Sequence, residues 1–95
     1  MDIAKIRTLA EDYQNILLQC ADIKPERIDI NRTFGDCTPF ELRCHALYLC
    51  DGLIKMTKNA EQCGKANRHL AAIQMILGFL EMYTLAELME HNRPT

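Results

Sequence analysis

Ile3, Ile6, Ala10, Tyr13, Leu17 and Cys20 recur at alternating spacings of three and four, and Leu9 and Ile16 widen the stripe. That period belongs to a helix with one buried face. Lys5, Glu11, Asp12 and Gln19 fall on the opposite face. Asp2 can cap the helix by accepting free backbone N–H groups of the first turn. The spacing predicts a helix over 2–21. From 22 to 37 the pattern breaks. Pro25 disfavours helix at Lys24, and Gly35-Asp36 reads as a turn. Ile28-Asp29-Ile30-Asn31 alternates like a short strand, but no second strand is available to pair with it. Structured loops this long are often functional.

Thr38-Pro39-Phe40-Glu41 is the clearest start signal in the chain. It is a capping box with proline at the first helical position. The helix it opens is predicted over 38–63, with Phe40, Cys44, Leu47 and Ile54 facing inward, joined by Tyr48 and Leu49. Gly52 weakens it by roughly 1 kcal/mol against alanine. Gly64 reads as the left-handed residue that ends it. A third helix is predicted over 65–91, with Pro94 beyond its end. Two long helices joined by a tight turn make an antiparallel hairpin. The fold class is therefore all-α: residues 1–95 form one domain, an N-terminal helix, a structured loop and a long helical hairpin.

The last helix carries too many apolar faces for such a fold. Leu70, Ile73, Leu77 and Leu80 make one stripe. Ala72, Ile76, Phe79, Tyr83 and Ala86 make a second, and Met75, Met82, Leu85 and Met89 a third. Gln74, Glu81, Thr84 and Glu87 form a narrow polar strip. One hairpin partner and one N-terminal helix cannot cover three stripes, and uncovered ones make a patch too large for a soluble monomer. The economical answer is a homo-oligomer with this helix at the interface. The alternative is a monomer whose first helix and loop wrap the hairpin.

Composition sharpens that point. Of 95 residues 48% are hydrophobic, with no tryptophan. Eleven Lys/Arg against thirteen Asp/Glu give a net charge of −2, which argues against a basic coat for DNA or RNA polymers. No secretory signal is visible. The longest uncharged stretch, His69 to Leu80, is shorter than the about 20 residues of a membrane span. Five cysteines, an odd number at irregular spacings, read as reduced packing thiols of a cytoplasmic protein. A zinc site through Cys44, His45, Cys63 and His69 lacks the usual close ligand pairs. Hydrolase, P-loop and dinucleotide fingerprints are missing, so neither catalytic residues nor a cofactor are expected.

Charge placement is more informative. Lys55, Lys58, Lys65 and Arg68 surround the predicted turn, opposed only by Glu61, and His69 adds a donor. Lys65 and Arg68 are three apart and share a helix face. A phosphate would suit this end; a solvated basic tip is the plain alternative. A second anion candidate is the loop, through Lys24, Arg27, Asn31 and Arg32, beside Tyr13 as a base-stacking ring. Asp22, Glu26, Asp29 and Asp36 dilute its charge.

Arg68, Leu70, Leu77 and the pair Met82-Tyr83 follow one another in an order that resembles the last helix of phage anti-CBASS sponge proteins. Those proteins share a helical hairpin with some anti-Thoeris sponges. The resemblance covers about Thr38 to His91, and Tyr83 stands where that family more often has tryptophan. It implies a homo-oligomer, often a hexamer, that binds a cyclic dinucleotide or trinucleotide between protomers and does not cleave it. A bacterial immune effector is thereby starved of its messenger. It also implies a tyrosine of the first helix and a basic residue after it as ligand contacts, for which Tyr13 and Lys24 are the nearest positions. Tyr13 or Tyr83 would stack a base, while Lys24, Arg27, Arg32, Lys65 and Arg68 would meet phosphates. Two other readings stay open: an inhibitor or adaptor that uses its apolar face on a host protein, and a secretion co-chaperone-like hairpin that pairs with a different subunit.

Overall fold

A computed structural model describes residues 1–94. It holds four α-helices: α1 (Ile3–Leu17), α2 (Pro39–Met56), α3 (Cys63–Phe79) and α4 (Leu85–His91). There is no strand among the described residues: Ile28-Asp29 is loop, and Ile30-Asn31 form a turn in which Asp29 accepts the Asn31 and Arg32 N–H groups. The first three helices pack around one core. Ile6, Ala10, Tyr13 and Leu17 of α1 meet Leu42, Leu47, Cys50 and Leu53 of α2 and Leu70, Ile73, Ile76 and Leu77 of α3.

Asp2 caps α1 as expected, accepting the Lys5 N–H at 2.9 Å. The helix ends at Leu17, four residues short of the predicted end. Leu17 is its last fully buried residue. Beyond it the chain reverses through Asp22, whose φ of 61° lies in the left-handed region that Asp tolerates. The 22–37 loop is then tied onto α2. Glu26 N–H donates to the Cys44 carbonyl at 3.2 Å, and Ile28 N–H donates to His45 Nδ1 at 3.3 Å.

The capping box at α2 is complete. Thr38 Oγ1 accepts the Glu41 N–H at 3.1 Å, and Glu41 Oε1 accepts the Thr38 N–H at 2.9 Å. Phe40 points outward rather than into the core. The far end departs from expectation: α2 stops at Met56, not at residue 63. Arg7 of α1 donates from Nε to Thr57 Oγ1 at 3.0 Å and from Nη2 to the Thr57 carbonyl at 2.7 Å. That clamp fixes the end of α2 from 50 residues away in sequence. Gly64 is not a left-handed stop; it lies inside α3 with negative φ.

The largest correction concerns the predicted 65–91 helix. A single helix of that length would run about 40 Å, longer than the molecule's 34 Å longest axis. Instead α3 ends at Phe79. Glu81 N–H donates to the Gly78 carbonyl and Met82 N–H to the Leu77 carbonyl, each at 3.0 Å. This is a Schellman stop, with Glu81 at φ 61° where glycine is usual. A second complete capping box, Thr84 with Glu87, then opens α4. The α4 helix folds back on α3 so closely that a Cβ at Gly78 would stand 3.4 Å from Leu88 Cδ1.

The fold-back covers part of the apolar surplus. Leu70, Ile73, Ile76, Leu77 and Leu88 are buried. So is Gln74, which was expected on the polar strip. It exchanges two hydrogen bonds with Asn92, at 2.7 and 3.0 Å. Met75, Phe79, Leu85 and Met89 remain exposed. No helix of the described residues is long and apolar enough to cross a membrane.

Candidate functional site

The seven residues singled out from sequence fall into three separate places. Arg27 and Arg32 come together over α2, around a recess of about 200 Å³ that Asp29, Phe40 and Glu41 also line. Arg32 is already engaged: its guanidinium donates to both oxygens of Glu41 and to the Asp36 carbonyl. The Arg32 hydrogen bond, with the Thr38 N–H behind it, holds the Glu41 carboxyl down at about 2. Glu41 thus caps α2 and anchors the loop at once. Lys24 pairs with Glu26 at 3.4 Å, on the exposed surface. Arg27 alone in this cluster makes no ion pair among the described residues.

Tyr13 and Tyr83 meet in a second place, beneath α4. Tyr13 is 1% exposed, which leaves no ring surface on which a base could stack within the protomer. Gln74 Nε2 donates to Tyr13 Oη at 3.0 Å. The Tyr13 hydroxyl is thereby left to donate to His91 Nδ1 at 2.8 Å. Tyr83 packs edge-on against His91, ring centres 4.9 Å apart, and 5.8 Å from Tyr13. Burial raises both tyrosines above their ordinary values. This cluster closes the bundle with satisfied hydrogen bonds.

Lys65 and Arg68 occupy the third place, the lip of a groove between α2 and α3 of about 480 Å³. Leu49 and the buried Ile76 make its floor apolar, with the exposed Ala72 and Met75 beside them, and Phe34, His45 and His69 supply flat rings. His45 is the hinge of the arrangement. It lies 6.2 Å from Phe34 and stacks on Tyr48 at 6.2 Å. Its Nδ1 accepts the Ile28 N–H, so its proton sits on Nε2. Neither Lys65 nor Arg68 has an ion-pair partner among the described residues. The neighbouring His69 registers that bare charge. Burial, then Lys65 and Arg68, hold His69 below its ordinary value. Burial, then Arg27, does the same to His45. Lys55 and Lys58 do not line the groove.

Cys44, His45, Cys63 and His69 do not gather: no group of three or more potential metal-binding side chains exists among the described residues. All five cysteines are free. Cys50, deep in the core, has its thiol pushed up to about 12 by burial.

The groove's aromatic wall was not anticipated from sequence. Phe34 reaches it because Thr33 caps a short 3₁₀ turn over Phe34–Asp36 and sets the loop back onto α2. The Lys65–Arg68 pair was legible from its spacing alone. No protein-family model, curated protein or solved structure matches the chain.

Proposed function

We propose that this chain binds a cyclic oligonucleotide messenger in the α2–α3 groove and sequesters it without chemistry, as a homo-oligomer. The observation that carries this reading is the meeting of Lys65 and Arg68, both without counter-charge among the described residues, with Phe34 and His45 above an apolar floor. Cations match phosphates through charge-assisted hydrogen bonds, and flat rings match bases by stacking. The groove volume lies within the range of about 300–1,000 Å³ for small-molecule sites. His45 Nε2–H and His69 add donors at the same wall. The resemblance to anti-CBASS sponges, carried by Arg68, Leu70 and Leu77 of α3 and by Met82-Tyr83 in the turn after it, supplies the cyclic class and the biological consequence. A messenger held on the protein does not reach the effector that it activates, and anti-phage signalling is muted.

The test is a panel of cyclic dinucleotides and trinucleotides, with AMP as control. Melting temperature should rise with at least one cyclic member and not with AMP. The bound compound should be recovered chemically unchanged after denaturation. A new product on chromatography would make the protein an enzyme, and no shift with any member overturns the reading.

A second reading, a helical inhibitor or adaptor acting on a host protein, is favoured by a different feature, the exposed apolar side of α3 and α4. It predicts stoichiometric capture of one purified partner with no effect of nucleotides.

A further inference from the structure

Ala71, Met75, Gly78 and Phe79 of α3 and Leu85 and Met89 of α4 line one apolar groove of about 480 Å³. Met75, Phe79, Leu85 and Met89 stand 75, 64, 74 and 60% exposed. We infer that a second copy of this chain covers this face, with α3 packed antiparallel on α3 about a two-fold axis at Met75. This deepens the homo-oligomer part of the proposed function by naming the surface and the pairing.

Shape comes first. The exposed positions Arg68, Ala72, Met75 and Phe79 are spaced four, three and four and share one side of α3. A two-fold at Met75 sets residues equally far before and after it opposite each other. Ala71 then faces the partner's Phe79, a small side chain against a large one, on both sides of the axis. The small residues let the helices approach, and the phenylalanines fill the space.

Charge points the same way. The start of α3 is basic through Lys65 and Arg68, and the segment past its end is acidic through Glu81 and Glu87. Antiparallel pairing sets the basic end of each copy against the acidic end of the other. A parallel pairing would oppose like charges.

Area is sufficient. The four exposed side chains, doubled by symmetry, bring the contact to roughly the 1,000 Å² that an interface must clear, before the alanines and rim are added. Met75 also lines the basic groove, so the partner would extend that groove's wall.

Light scattering with sedimentation over a wide concentration range tests the pairing. The wild-type chain should show twice 10.9 kDa, or an even multiple of it. Met75→Glu, which sets two carboxylates together at the axis, should raise the dissociation constant at least about a hundredfold while helical circular dichroism persists. Arg68→Glu should weaken association about tenfold, and adding Glu81→Arg should restore it. A wild-type monomer throughout overturns the pairing and leaves the face to a helix of another protein. An assembly indifferent to Met75→Glu overturns it too. The two proposals fail separately: a dimer that binds no cyclic nucleotide overturns only the ligand reading, and a monomer that binds one overturns the pairing and the homo-oligomer while the ligand reading stands.

Discussion

Tyr13 Oη lies 2.8 Å from His91 Nδ1, and this bond joins the first helix to the last across 78 residues of chain. With Gln74 and Asn92 behind it, the pair makes a part-buried polar network in which the buried Tyr13 and Gln74 are both satisfied. It orients α4 on the bundle, and so fixes how the α3–α4 groove is shaped. Tyr13→Phe removes the donor to His91 and keeps the ring. The expected loss is about 1–2 kcal/mol of stability, read from urea unfolding. A larger loss would mean the network holds more of the fold than α4.

Glu81 stops α3 in a conformation that disfavours side chains. Glu81→Gly relieves the strain but loosens the unfolded chain, for a net gain of about 0.5–1 kcal/mol. Thermal unfolding should move up by a few degrees. Thr84→Ala, which breaks the box opening α4, should do the reverse by about 1 kcal/mol.

Glu41 gives the fold an acid limit. Its folded value of about 2 lies below the ordinary 4.5, so the unfolded chain takes up the proton first. Its contribution is whole above pH 4.5 and drains away as pH falls toward 2. Glu41→Gln should flatten the pH dependence of stability in that window, measured by denaturant midpoints. An unchanged slope would show that other carboxylates govern acid unfolding.

Those three sites also show what the sequence made legible. Thr38 and Glu41 announced α2 because a capping box is local. Thr84 and Glu87 have the same spacing, but apolar stripes run on through them, and the stop at Glu81 lacks the glycine that marks most such ends. The end of α2 was invisible for another reason: Arg7 sets it from α1. Lys65 and Arg68 share a face by spacing alone, whereas Phe34 joins them only once the loop has folded back onto His45. The burial of Tyr13 follows from its place in the apolar stripe of α1. That position outweighs its assignment as a stacking ring.

Binding an anion should draw protons into the groove. His69 is held below its ordinary value by burial and by Lys65 and Arg68. A phosphate that neutralises those two cations lets this imidazole regain its proton. Affinity should therefore rise as pH falls from 8 toward 6, with proton uptake visible as a buffer-dependent enthalpy. Affinity that falls over this range contradicts the electrostatic account of the site.

The most direct measurement is calorimetric titration of the cyclic-nucleotide panel into the wild-type chain and into Lys65→Glu/Arg68→Glu, each at known oligomeric mass. The account predicts saturable binding of at least one cyclic member by the wild type, weakened about 100-fold or more in the double variant. It also predicts that the helicity of both proteins stays comparable, and that binding is lost even at concentrations where the double variant is assembled. Binding that survives intact in the double variant, or a folded wild-type protein that takes up no member of the panel, contradicts it.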